Sequence, residues 1–77
     1  MMKEQIREWI HATPFEPFYI HTARGKSVYV HHPDFIFAPP TGRPDVIVEE
    51  TNGTRHLLNV MLITSLEKAL PPQQAAA

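Results

Sequence analysis

Histidine and tyrosine are the residues here whose types and spacing could do chemistry. Five histidines stand among 77 residues, at His11, His21, His31, His32 and His56. Imidazole is the side chain that ligates metals and moves protons near neutral pH. The run His31-His32-Pro33-Asp34 joins two of them to a carboxylate, and His21 or His56 would be the further ligand of a metal site. Zinc needs three or four convergent ligands held by oriented outer partners. Adjacent residues of a strand point to opposite faces, so His31 and His32 cannot share an ion unless the chain bends between them. His32-Pro33-Asp34 is instead expected to be a turn whose Asp34 carboxylate caps nearby backbone N–H groups. No metal and no other cofactor is expected.

Covalent catalysis has few candidates. There is no cysteine. Ser27 and Ser65 fall in expected strands without a glycine elbow, and no carboxylate pair stands out. A chain of this length also has difficulty enclosing a pocket of roughly 300 Å³ or more. The expectation is therefore a protein that is not an enzyme. Tyr19 and Tyr29, with His21 and His31 beside them, form a different kind of patch, because flat rings with polar edges stack bases or anchor protein contacts. Arg24, Lys26 and Arg43, with Arg55, would add phosphate contacts if their loops gathered on one rim. Asp45, Glu49 and Glu50 lie close by in sequence, and such mixed charge fits a protein partner better than a polyanion. The four rings would be packing instead if the helix or another strand covered them.

The elements that must position this patch begin with Phe18-Tyr19-Ile20-His21-Thr22, a turn at Ala23-Arg24-Gly25, and Lys26-Ser27-Val28-Tyr29-Val30-His31. Alternation with period two, bounded by turn residues, marks half-buried strands. A three-residue loop with Gly25 left-handed sets Thr22 opposite Lys26, Ile20 opposite Val28 and Phe18 opposite Val30. One face is then apolar, and the other carries Tyr19 opposite Tyr29. After the bend at His32-Pro33-Asp34 the same strand resumes as Phe35-Ile36-Phe37.

Ahead of the hairpin, Met2 to His11 reads as a short amphipathic helix. Met2, Ile6, Trp9, Ile10 and Thr13 form its stripe, Glu4 pairs with Arg7 on the wet side, and Thr13-Pro14 ends it. About ten residues do not hold a helix alone, so the stripe must dock on the sheet. Phe15-Glu16-Pro17-Phe18 connects them, with both phenylalanines under the helix. Beyond the patch, Pro39 to Pro44 is a surface loop. Asp45 to Glu50 is a strand apolar on both faces, expected to be central or covered twice. Asn52-Gly53 predicts a type I′ hairpin that opposes Glu50 to Arg55, Glu49 to His56 and Val48 to Leu57, while a three-residue loop would shift these pairs by one. Leu57 to Leu66 divides into a strand to Asn59, a tight helical turn over Val60 to Leu62, and a last strand from Ile63 to Glu67. Pro71 to Ala77 is a low-complexity end expected to be disordered.

The formal net charge of −1 lacks the basic excess of a dedicated nucleic-acid binder. No stretch approaches the roughly 20 apolar residues of a membrane span, and the absence of cysteine suits a reducing compartment, so a cytoplasmic protein with no membrane contact is expected. One domain over 1–70 accounts for the chain.

This order of elements resembles the Sm-like small β-barrel. That resemblance implies rings built by pairing edge strands, and RNA bound by the loops between strands two and three and between strands four and five. Here those loops hold Pro39 to Pro44 and Asn59 to Leu62, without the basic glycine-bearing signature before the last strand. Ala12-Thr13-Pro14-Phe15-Glu16-Pro17-Phe18, Gly25, His32-Pro33-Asp34-Phe35 and Leu62-Ile63-Thr64-Ser65-Leu66-Glu67 resemble a family of short bacterial proteins, a likeness that implies no activity. The combined expectation is a mainly β (α+β) fold, an N-terminal helix followed by a five-stranded, strongly bent SH3-like or Sm-like barrel. It would engage a protein partner, or a second copy through the edge of Ile63 to Leu66 or of Asp45 to Glu50, using Tyr19, His21, Tyr29, His31, Arg24, Lys26 and Arg43. The alternative is Sm-like binding of single-stranded RNA by Tyr19, Tyr29, Arg24, Lys26 and Arg43.

Overall fold

The chain's apolar residues recur at helical spacing only near its start, and the helix forms there. In the computed structural model, which describes residues 1–69, α1 runs Lys3–Ile10 and buries Ile6 and Ile10. The Met2 N–H donates to the Gln5 side chain at 3.0 Å, which satisfies one of the donors a helix start leaves free. Met2 itself is exposed, so the apolar stripe begins at Ile6 rather than at Met2. Trp9 meets Phe18 edge-on at 5.2 Å, Phe15 tilts against Phe18 at 6.0 Å, and Lys68 sits 4.6 Å over the Trp9 ring. Arg7 does not pair with Glu4. It donates to the Ala38 carbonyl just past the end of the strand Ile36–Phe37, at 2.6 Å, and so ties the helix to the second sheet.

Six strands follow, in two three-stranded sheets: β1 Phe18–Thr22, β2 Ser27–Val30, β3 Ile36–Phe37, β4 Asp45–Glu49, β5 Arg55–Asn59 and β6 Ile63–Lys68. The first sheet has the order β2-β1-β6 and the second β3-β4-β5, all antiparallel. The expected second strand, Lys26 to Phe37, is broken into β2 and β3 by a 3-10 turn over Pro33–Phe35. Proline fixes its own φ and brings no N–H to a ladder, so pairing stops there and restarts at Ile36. This break makes six strands of the expected five, and the described residues form two sheets without a closed barrel. The low-complexity end, 71–77, lies outside the described residues.

Both hairpins use the same loop. Thr22 N–H donates to the Lys26 carbonyl at 2.9 Å and Gly25 N–H returns to Thr22 at 3.0 Å; Glu50 N–H donates to Thr54 at 2.8 Å and Gly53 N–H to Glu50 at 2.9 Å. Gly25 and Gly53 take φ of 83° and 88°, and no other type of residue has positive φ among those described. Asn52 is thus not left-handed, and the type I′ turn does not form. Its side chain accepts the Thr54 N–H at 2.9 Å instead, closing a turn of its own. The register shifts by one, to Glu49 with Arg55, Val48 with His56 and Ile47 with Leu57.

The division of Leu57 to Leu66 holds: β5 ends at Asn59, a 3-10 turn covers Val60–Leu62, and β6 begins at Ile63. Asn59 starts that turn by accepting the Met61 N–H at 2.8 Å. Phe18, Ile20, Val28, Val30, Val46 and Val48 are fully buried between the sheets and the helix. β4 is central in its sheet, as expected, but Ile47 is not covered.

Replacing Phe18 with Ala removes the ring on which helix, connector and sheet converge, at a cost of about 3–5 kcal/mol. That is most of what a domain this small gains on folding. Far-UV circular dichroism of Phe18→Ala should show no cooperative urea transition at 25 °C. Gly53→Ala should keep the transition and lose about 1–2 kcal/mol. A Phe18→Ala variant that unfolds like the parent would refute this account of the core.

Candidate functional site

Alternation along β1 and β2 sends Phe18, Ile20, Val28 and Val30 inward and leaves Tyr19, His21, Ser27 and Tyr29 on the opposite side. Tyr19 is directly opposite Tyr29 and His21 opposite Ser27, the register read from the sequence. The helix packs on the inner side, against Phe18, so it does not cover the rings, and Tyr19 is 38% exposed. Tyr19 and Tyr29 lie 5.1 Å apart, Tyr19 stacks with His21 at 6.3 Å, and Tyr29 contacts His31 at 6.2 Å. The 3-10 turn then folds Phe35 back onto His31 at 4.2 Å, with His32 edge-on to Phe35 at 6.2 Å. The result is a continuous ladder of rings across two strands and the turn after them.

One end of the ladder is locked by three strands together. His21 Nδ1 is 2.8 Å from Ser27 Oγ on β2, and its Nε2 is 2.8 Å from Glu67 Oε1 on β6. Both ring nitrogens are engaged, which fixes the ring plane against Tyr19. Serine, histidine and glutamate in this order have the connectivity of an acyl-transfer triad. That chemistry also needs aimed oxyanion donors and a site closed to water. Here Glu67 and Ser27 are exposed on an open sheet face, so the network orients a ring.

The other end is anchored differently from the expectation. His32 Nδ1, not the Asp34 carboxylate, caps the turn by accepting the Asp34 N–H at 3.1 Å. The extended backbone of His32 lets its ring reach the Asp34 N–H, while the exposed Asp34 carboxylate lies 3.6 Å from the same His32 nitrogen. The Nδ1 of His31 is buried without a hydrogen-bond partner. Among the described residues no three His, Cys, Asp or Glu side chains converge on a point that could hold a metal ion.

Glu50 joins this sheet to the second one. Its Oε2 lies 3.0 Å from His56 Nε2, and its Oε1 accepts the Tyr29 N–H at a long 3.5 Å. The hydrogen bond from His56, more than that from Tyr29, holds the Glu50 carboxyl below its ordinary value, against the opposing effect of partial burial.

Of the residues singled out in the sequence, Tyr19, His21, Tyr29 and His31 come together. Arg24 and Lys26 do not join the rings: they are exposed, line a cleft with Thr22, Leu57, Leu58, Asn59 and Leu62, and have no ion-pair partner among the described residues. Arg43 does not join them: it pairs with Asp45 at 3.0 Å beside Phe37 and Ile47 of the second sheet. Phe35, Glu67 and Glu50 were missed. The turn at His32-Pro33-Asp34 was the available signal for Phe35; nothing local announces Glu67, which arrives by pairing of β1 with β6 across more than forty residues. No family model, no curated protein and no solved structure matches this chain.

A carboxyl whose folded pKa is lowered adds stability above its unfolded value of 4.5 and loses it as pH falls through the folded value. Urea midpoints of the parent and of Glu50→Gln should therefore differ at neutral pH, with the parent more stable, and converge at a pH below the folded value. An equal gap at both pH values would show that the Glu50 charge is not what the pair contributes.

Proposed function

We propose that this chain is a non-enzymatic binding module whose aromatic and histidine face engages a protein partner. The observation that carries this is the unbroken ladder from His21 through Tyr19, Tyr29 and His31 to Phe35, uncovered by the helix and with Tyr19 open to solvent. Rings fixed in place lose little conformational freedom on binding, which is why aromatic residues dominate interface energetics. Ser27, Glu67 and the imidazoles give the face a polar rim suited to hydrogen bonding. The two sheets handing strands over at 3-10 turns, β2 into β3 and β5 into β6, support kinship with the Sm-like or SH3-like small barrels. Among the described residues β6 has a neighbour on one side only, which leaves its other edge for pairing with another copy. The strand from Asp45 to Glu50 has no such edge: β4 lies between β3 and β5.

A second reading, binding of single-stranded RNA, draws on Arg24 and Lys26, exposed cations of the same hairpin without an ion-pair partner among the described residues. It requires the Tyr19 and Tyr29 faces for base stacking and the cations for phosphate.

Immobilised full-length protein should retain a protein from lysate of its source at about 0.5 M salt and after ribonuclease treatment, and Tyr19→Ser should lose it while keeping the parent's unfolding midpoint. Equal retention by parent and Tyr19→Ser would overturn the assignment. A labelled oligouridine bound at low salt, released steeply as salt rises and lost with Tyr29→Ala, would establish the RNA reading in its place.

A further inference from the structure

The outer side of the second sheet is apolar where a solvated face of an antiparallel sheet would be polar. Phe37, Ile47 and Leu57 are direct neighbours across β3, β4 and β5. Their neighbours in sequence, Ile36, Val46, Val48 and Leu58, fill the inner side. The three outward residues are 62%, 42% and 69% exposed. Ion pairs bracket the row, Glu49 with Arg55 at one end and Arg43 with Asp45 at the other, each at 3.0 Å. A shallow cleft of ≈ 210 Å³ opens beside Phe37 and Ile47 toward Pro39 and Arg43.

We propose that this face docks on the same face of a second copy of the chain, forming a two-fold dimer separate from the aromatic face. The charge pattern selects that occupant. On the outer side β4 presents Asp45, Ile47 and Glu49, and β5 presents Asn59, Leu57 and Arg55 in matching register. Acids line one strand and donors line its neighbour. A two-fold axis parallel to the strands, running between β4 and β5, lays β4 of each copy over β5 of the other. Glu49 then faces Arg55 of the second copy, Ile47 faces Leu57, and Asp45 faces Asn59. Every such contact occurs twice, as an isologous interface requires. A uniformly acidic or basic ligand would satisfy one strand and be repelled by the other. With the axis between β4 and β5 the overlap is two strands wide, roughly 10 by 17 Å with Phe37 at its margin, well below the ~800 Å² per partner of a standard stable interface. The dimer is accordingly weak and depends on concentration.

Sedimentation equilibrium of the full chain from about 10 µM to about 1 mM reads this directly. The parent's mass should rise toward the dimer. Ile47→Lys, or Leu57→Lys should the first misfold, should raise the dissociation constant at least about tenfold, since each buries a charge against its own copy. Tyr19→Ser should leave it unchanged, which separates this dimer from the binding role of the aromatic face. Glu49→Arg and Arg55→Glu should each stay monomeric alone, and mixing the two variants should restore a heterodimer. A monomer throughout, a dimer that withstands both lysine variants, or a mixture that stays monomeric would overturn the proposal.

Discussion

Burial of Phe18 is the constraint from which the rest of the molecule follows. It is fully buried, and Trp9 of the helix and Phe15 of the connector both pack on its ring. Because side chains alternate strictly along a strand, fixing Phe18 inward fixes Tyr19 outward, and a slip of one residue would exchange the two faces. β1 is the middle strand of its sheet, so its register sets those of β2 and β6. One hydrophobic contact therefore decides where Tyr19, Tyr29, His21 and Glu67 meet.

The two outer faces differ in kind because the strands behind them differ. β1 and β2 alternate cleanly between aliphatic and aromatic or polar residues, so their outer side is made of rings with polar edges. β3, β4 and β5 carry apolar residues at both phases, and after the inner face is filled a second set is left over as Phe37, Ile47 and Leu57. In so short a chain no further layer of the described residues lies over either set. The edges are less inviting than the faces. β3 is two residues long and is followed closely by Pro39 and Pro40, which leaves little backbone for a neighbour to pair with. β6 turns Ser65 and Glu67 to the aromatic side.

Elements were legible in the sequence wherever a local rule had no rival. Gly25 at the end of a three-residue loop gave the first hairpin its register, and the mixed run from Leu57 to Leu66 divided correctly because Asn59 both ends a strand and caps the turn that follows. The second hairpin left two registers open where two local rules compete, and the structure takes the three-residue loop rather than the favoured two-residue one. Asn52-Gly53 favours a type I′ turn, but the asparagine side chain also closes a turn with Thr54 N–H, and the latter prevails with Gly53 alone left-handed. The rings of the candidate site were legible because alternation reports facing directly. Glu67 and Glu50 were not, since each reaches the ladder through a contact that no window of neighbouring residues contains, and Phe35 was signalled only by the turn before it.

The same geography determines how far one face feels the other. Between the outer sides of the two sheets lie the 3-10 turns, the shared core and a single carboxylate, Glu50, whose link to Tyr29 N–H is 3.5 Å long. A hydrogen bond of that length is weak. The firmer bond of Glu50, to His56 at 3.0 Å, stays within its own hairpin. The buried residues between the faces are apolar, and none of them carries a polar side chain that could switch partners. Energetic coupling between sites needs an element with two discrete arrangements, and none of these contacts supplies one. Substitutions at Tyr19 and at Ile47 should therefore combine additively, so that the two surfaces are energetically independent on one small scaffold.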